Sequence, residues 1–178
     1  LIKKKIEEKV LQLDERFRNI FPPIQELFSL KVEDGSYLHL EPQQKRERCF
    51  EAIRDLLVRV SVSKPLVLVV DDLHWVDKTS GDFLGYLVDW LANTKILLIL
   101  LYRPEYTHVW GSKSYYSKIG VDQLSSKSSS KLVQNILQGG EVIPELKDLI
   151  LNRAGGNPLF VEELTHSLLE NGSIQRKD

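Results

Sequence analysis

A chain of 178 residues with 42% hydrophobic side chains has enough apolar material for one packed domain, or one domain with a small appendage. Its 24 lysines and arginines nearly cancel its 25 aspartates and glutamates, so no overall charge draws it to nucleic acid or an anionic membrane, and any anion site has to be local. A single cysteine, Cys49, excludes an internal disulfide, and the longest apolar runs, 66–70 and 96–101, are far too short to span a bilayer, which points to a soluble protein of a reducing, cytoplasmic compartment.

In chain order, Ile2, Ile6 and Val10 recur among lysines and glutamates as the apolar line of a helix with a charged outer face. Pro22 and Pro23 break any helix that carries Phe17 and Ile20, and the stretch 30–40, centred on Asp34-Gly35, reads as a hairpin or an irregular loop. Beyond Pro42, the residues Phe50, Ile53, Leu56, Leu57 and Val60 form one stripe of a helix that ends near 61–64. Pro65 then introduces Leu66-Val67-Leu68-Val69-Val70, an uninterrupted apolar run that reads as a strand buried on both faces of a parallel sheet. Thr79 to Asp82 resembles a helix start, with Phe83, Leu84, Leu87, Val88 and Leu91 on the buried side. A second buried strand, 96–101, completes a strand–helix–strand order, for which a parallel sheet is expected. The segment 119–124 is expected to supply a third strand, and the serine-rich patch 125–130 reads as a linker. Everything later reads as helix: Leu132, Val133, Ile136 and Leu137 form one stripe, Leu146, Leu149 and Ile150 another, and Phe160, Val161, Leu164 and Leu168 a third.

In an open parallel sheet, ligands gather beyond the carboxyl ends of the strands, and Asp71 and Asp72 follow the first apolar run there. Two acids at that place suit a hydrated magnesium ion and a water aimed at a γ-phosphate, because magnesium favours oxygen ligands. A lone acid at a strand end often does no more than cap the next turn. Here a pair stands between an apolar strand and Leu73-His74-Trp75-Val76-Asp77, which favours the chemical reading. The four histidines, His39, His74, His108 and His166, show no metal-ligand spacing, and neither a nucleophile elbow nor a cysteine-protease pattern occurs.

The string PLVLVVDDLHWVD, from Pro65 to Asp77, closely resembles the second nucleotide motif, Walker B, of the signalling P-loop NTPases with numerous domains (STAND, AAA-type). The nearest resemblance is to the ATPase domains joined to class III adenylate or guanylate cyclases, serine/threonine kinases or LuxR-type regulators. Further pieces appear in the family's order: YLHLEPQQKRERCFEAIRDLL (37–57) before the strand, LLILLYRPE (97–105) similar to its sensor-1 strand, and GGNPLFVEEL (155–164) similar to the glycine-x-proline motif of its helical lid. The resemblance implies an α/β fold: a partial P-loop NTPase core, a parallel sheet flanked by helices, over 1–124, then a small helical lid subdomain over 125–178. It also implies ATP and magnesium as ligands, with Asp71 coordinating magnesium through water and Asp72 polarising the attacking water. Arg103 would sense the γ-phosphate; the plainer reading is a surface arginine paired with Glu105. Pro158, beside Gly156, would pack on the adenine from the lid, and a proline there also simply starts a helix. His74 and Trp75 are expected to shape and pack the loop, and His74 is not read as a general base.

No GxxxxGK[ST] phosphate loop occurs in the chain: Gly111-Ser112-Lys113 does not fit it, and Gly139-Gly140 is followed by Glu141, which repels phosphate. The sequence also contains no methionine, so it reads as a piece of a longer protein, cut behind the loop and the first strand. Weak or no ATP binding by this piece alone is the expectation. Open sheet edges are expected to invite self-association or an improvised strand, with 31–40 the candidate for the latter. The implied function is an ATP-driven regulatory switch for a covalently joined output domain. The reading from another class is a catalytically silent interaction module, and a DNA-acting ATPase ranks last because the charge is balanced.

Overall fold

The computed structural model describes residues 2–138 and 143–173, so the Gly139-Gly140-Glu141 string lies outside the described residues. The chain divides into two compact units, Leu1–Ser117 and Lys118–Asp178.

The first unit opens with α1 (Ile2–Leu13), followed by a 3-10 stretch, Glu15–Ile20, and α2 (Phe21–Leu27). Pro22 and Pro23 do end the preceding helical path, and they do so by occupying the first turn of α2, where a missing N–H is harmless. The turn between α1 and α2 is tied by Asp14. Its carboxylate accepts from the Arg16 backbone at 3.1 Å and the Arg16 side chain at 2.9 and 2.7 Å, and from Arg59 Nε at 3.2 Å. Those bonds, Arg16's first among them, hold the Asp14 carboxyl far below its ordinary value. Val10, Ile20, Ile24 and Ala52 form the buried cluster that joins α1 and α2 to α4 (Pro42–Ser63), with Ile6, Phe17, Phe21 and Leu56 packed around it.

The stretch 30–40 is neither hairpin nor strand. Asp34 accepts from the Tyr37 amide at 3.1 Å and so caps a single helical turn, α3 (Gly35–Leu38). That cap competes successfully with a hairpin turn, and Tyr37 is buried with its hydroxyl donating to Glu26. The improvised strand expected over 31–40 is therefore corrected. Pro65 ends α4 as expected: Lys64, the residue before it, is extended at φ −147°, ψ 136°.

Strands β1 (Leu66–Val70) and β2 (Ile96–Leu100) pair in parallel, Leu66 opposite Ile96 through Val70 opposite Leu100, with α5 (Lys78–Val88) between them in the chain. The expected parallel pairing is present, but burial on both faces is not. Along each strand half-buried and exposed residues alternate, and Val69 and Leu97 are each 58% exposed. Helix α4 packs against both strands, and among the described residues the sheet has two strands, so its other side has no second layer. The start of α5 also differs from expectation. Asp77, two residues before Thr79, is the cap and accepts from the Thr79 and Ser80 amides at 2.9 and 3.1 Å.

The expected third strand at 119–124 is absent. Ile119 and Val121 are 84% and 92% exposed, and the segment's last residue, Leu124, donates its amide to Gly156 O at 2.8 Å instead of to a ladder. These residues belong to the second unit. The serine patch is likewise not a linker: Ser125 caps α6 (Ser126–Ile136), and Ser129 faces inward. With α7 (Pro144–Ala154) and α8 (Pro158–Glu170), α6 encloses Val133, Leu137, Ile150, Ala154 and Val161. No described helix is long and apolar enough to cross a membrane.

Candidate functional site

The parallel register decides what lies at the end of β1. Leu101 N donates to Val70 O at 2.9 Å and Leu73 N to Leu101 O at 2.9 Å, so the ladder closes around Asp71 and Asp72 rather than through them. Asp72 adopts the left-handed conformation (φ 51°, ψ 38°), which aspartate tolerates better than most side chains and which turns the chain sharply. A 3-10 turn, Leu73–Trp75, follows, and Leu73 is fully buried. An apolar anchor on each side thus leaves the two acids projecting: both are exposed, and the Asp71 carboxylate accepts from the Asp72 amide at 2.8 Å. A carboxylate with one such bond keeps lone pairs for a hydrated cation. His74 Nε2 lies 3.8 Å from Asp72 Oδ1, and Trp75 beside it is exposed.

Arg103 lies three residues beyond Leu100, the last residue of β2, and register places the carboxyl ends of the two strands side by side. Its carbonyl accepts from Tyr106 N at 3.0 Å, closing a turn. Among the described residues the guanidinium has no ion pair, and Glu105 does not pair with it, so the plain surface-pair reading is not what the structure holds.

What sequence reasoning missed is how the Arg103 segment is held. Tyr102, the residue before it, bonds the Tyr116 hydroxyl at 2.7 Å and His108 Nε2 at 3.2 Å, while Tyr116 OH and His108 Nε2 are 3.1 Å apart. The His108 ring stacks on Trp110 at 5.0 Å, and a Cβ on Gly85 of α5 would come within 3.1 Å of Trp110 Nε1. Tyr115 OH donates to Val88 O at 2.8 Å, and Lys113 pairs with Asp89 at 2.5 Å. The residues after β2 therefore form an aromatic strap fastened to α5. Burial, then the bond to Tyr102, pushes the Tyr116 phenol up to about 12. The density of aromatic residues over 102–116 was the available signal.

Gly156 and Pro158 belong to the second unit and are accounted for within it. Gly155 (φ 56°) ends α7 in the left-handed form, and Gly156 (φ 80°) presses on Leu124, whose carbonyl oxygen would lie 2.7 Å from an added Cβ. Asn157 caps α8 by accepting from Leu159 N at 3.0 Å, and Pro158 occupies the first turn with its ring exposed. The glycine-x-proline string is thus a helix–helix corner, and it leaves the proline ring open to solvent. A cleft of about 570 Å³ elsewhere in the first unit is lined by residues such as Leu27, Lys45, Cys49, Phe50 and Phe83, and by neither acid nor Arg103.

Similarity to known proteins covers most of the chain. An uncharacterized protein of Rhizobium meliloti (strain 1021) is 29% identical over 155 residues, covering 84% of this chain and 15% of its own length. The chain thus spans a small part of that relative. No solved structure matches the chain. Residues 125–178 match a domain of unknown function (DUF8739). The AAA ATPase domain matches residues 7–100, more than half of the chain and including both acids, and the chain belongs to that family.

Proposed function

We propose that residues 1–117 supply the metal and water side of a nucleotide site in an ATP-driven regulatory module. The observation that carries this reading is the exposed Asp71-Asp72 pair at the carboxyl end of a parallel strand, in a chain of the AAA ATPase domain family. Asp71 holds magnesium through water, its donor chemistry being a carboxylate open to solvent, and Asp72 accepts a hydrogen bond from the attacking water and aims it. Magnesium would supply charge neutralisation at the phosphate oxygens when bound. Arg103, unpaired and held by the strap, engages the γ-phosphate, and its loss after hydrolysis is the signal. The phosphate loop, which these 178 residues do not contain, comes from another segment of the protein. In this reading 118–178, or more narrowly 125–178, is the lid, with Pro158 against adenine and Gly156 as its corner. The module belongs to the signalling class joined to a cyclase, kinase or regulator output and works in the cytoplasm, with self-association through the open strand edges.

The competing reading, a silent interaction module, is favoured by one specific fact, the missing GxxxxGK[ST] string. The substitution Asp72→Asn in the full-length protein separates the two. Loss of a water-orienting carboxylate lowers ATP turnover at least about 100-fold while nucleotide binding persists. A silent module shows no turnover to lose and keeps its signalling output in the variant.

A further inference from the structure

Both ring nitrogens of His74 are shut off from solvent and have no hydrogen-bond partner among the described residues, and the side chain is 12% exposed. An imidazole carries at least one N–H, so this arrangement leaves a buried donor idle, and buried polar groups are rarely left so. The ring is held from one side by Trp75, centroids 5.3 Å apart, and its backbone follows the buried Leu73. Its Nε2 faces the Asp72 carboxylate across 3.8 Å, just beyond hydrogen-bond length. Asp72 is the exposed half of the pair. Its side chain is 70% exposed, and its left-handed backbone, fixed by the turn, makes no side-chain cap bond that would hold the carboxylate elsewhere. The gap from 3.8 Å to hydrogen-bond length is under about 1 Å, the reach of a side-chain adjustment at an exposed carboxylate.

We propose that His74 is the positioning residue for Asp72: Nε2–H donates to Asp72 Oδ1, and the second carboxylate oxygen is thereby left turned to the rim, where it orients water. This rests on the reading of Asp72 as the water-orienting acid. It gives a polar task to a residue whose sequence context suggested packing alone. The two nitrogens divide the work unequally, since Nε2 is the one found 3.8 Å from Asp72 Oδ1.

Two measurements test it. In the 178-residue chain, the His74 Hε2 proton should be observable by NMR as a hydrogen-bonded, downfield resonance, and Asp72→Asn, which keeps an acceptor but removes its charge, should move it upfield. A His74 ring that ignores Asp72→Asn, while the Leu73 methyl signals report an intact turn, overturns the proposal. In the full-length protein, His74→Phe retains an aromatic ring but no donor, and should lower kcat for ATP about tenfold with KM within twofold. His74→Gln, whose amide N–H reaches to a similar place as Nε2–H, should recover most of that loss. A His74→Phe protein with unchanged kcat, or one in which His74→Gln is no better than His74→Phe, overturns it equally. If the wild-type protein hydrolyses no ATP, the functional reading fails by itself, and the NMR result still decides whether His74 holds Asp72.

Discussion

The three helices of the second unit close on one another around Val133, Leu137, Ile150, Ala154 and Val161, whereas the two strands of the first unit rest on α4 with one side and leave Val67, Val69, Leu97 and Ile99 on the surface with the other. The same kinds of residue meet opposite fates. Helices with a single apolar stripe can satisfy one another in a bundle of three, while a strand with apolar residues on both sides needs two layers. A chain segment can therefore be fully apolar and still half-exposed, and what it needs is decided by architecture. The acids of the candidate site stand at the end of a strand whose apolar surface is incompletely covered, so their placement depends on a sheet with one bare side.

This contrast yields ordered expectations. The largest structural effect belongs to the closed unit: Gly156→Ala places a Cβ 2.7 Å from Leu124 O at φ 80°, and the combined strain and overpacking should destabilise the helical unit by about 2–3 kcal/mol. Chemical denaturation followed by α6–α8 amide exchange reads this, and a variant as stable as the parent would mean the corner is looser than described. An intermediate effect belongs to Asp14. Its folded-state value is depressed below the ordinary 3.8, so the stability it contributes is present above about pH 4 and is lost as pH falls toward the folded value. Asp14→Asn should therefore melt lower than the parent at pH 7, with the gap narrowing below pH 4, and a gap that is constant with pH would contradict the assignment. The smallest effect is expected at the open sheet: Leu97→Thr, at a position 58% exposed, should change stability by no more than about 0.5 kcal/mol. A loss of several times that, measured by the same denaturation, would show that something covers this face.

Most local structure was legible in the residues. Proline placement announced the start and the end of α4, the apolar runs announced β1 and β2, and the three C-terminal stripes announced α6, α7 and α8, while Pro22 and Pro23 were legible as a break and not as the start of α2. The departures at 30–40 and 125–130 have a common cause. Asp34 and Ser125 each cap a helix with a side-chain bond, and a short polar residue before an ambiguous segment reads equally well as a turn or linker. The segment 119–124 has strand-like composition, yet its Leu124 amide finds Gly156 O first. At the site, the acids were legible because a strand must end where its apolar run ends. The strap of Tyr102, His108 and Tyr116 was not, because its three bonds join residues brought together by a loop path that no local pattern encodes.

By itself the sequence determined most of the helices, the two strands and that two carboxylates follow the first strand, because local sterics, apolar periodicity and capping act over a few neighbouring residues. Tertiary structure alone decided that the carboxyl ends of the two strands lie side by side, that the ring nitrogens of His74 are shut off from solvent with Nε2 3.8 Å from an acid, and that one side of the sheet is bare. Register, burial and layer number depend on contacts between residues far apart in the chain, and those contacts exist only once the chain has folded.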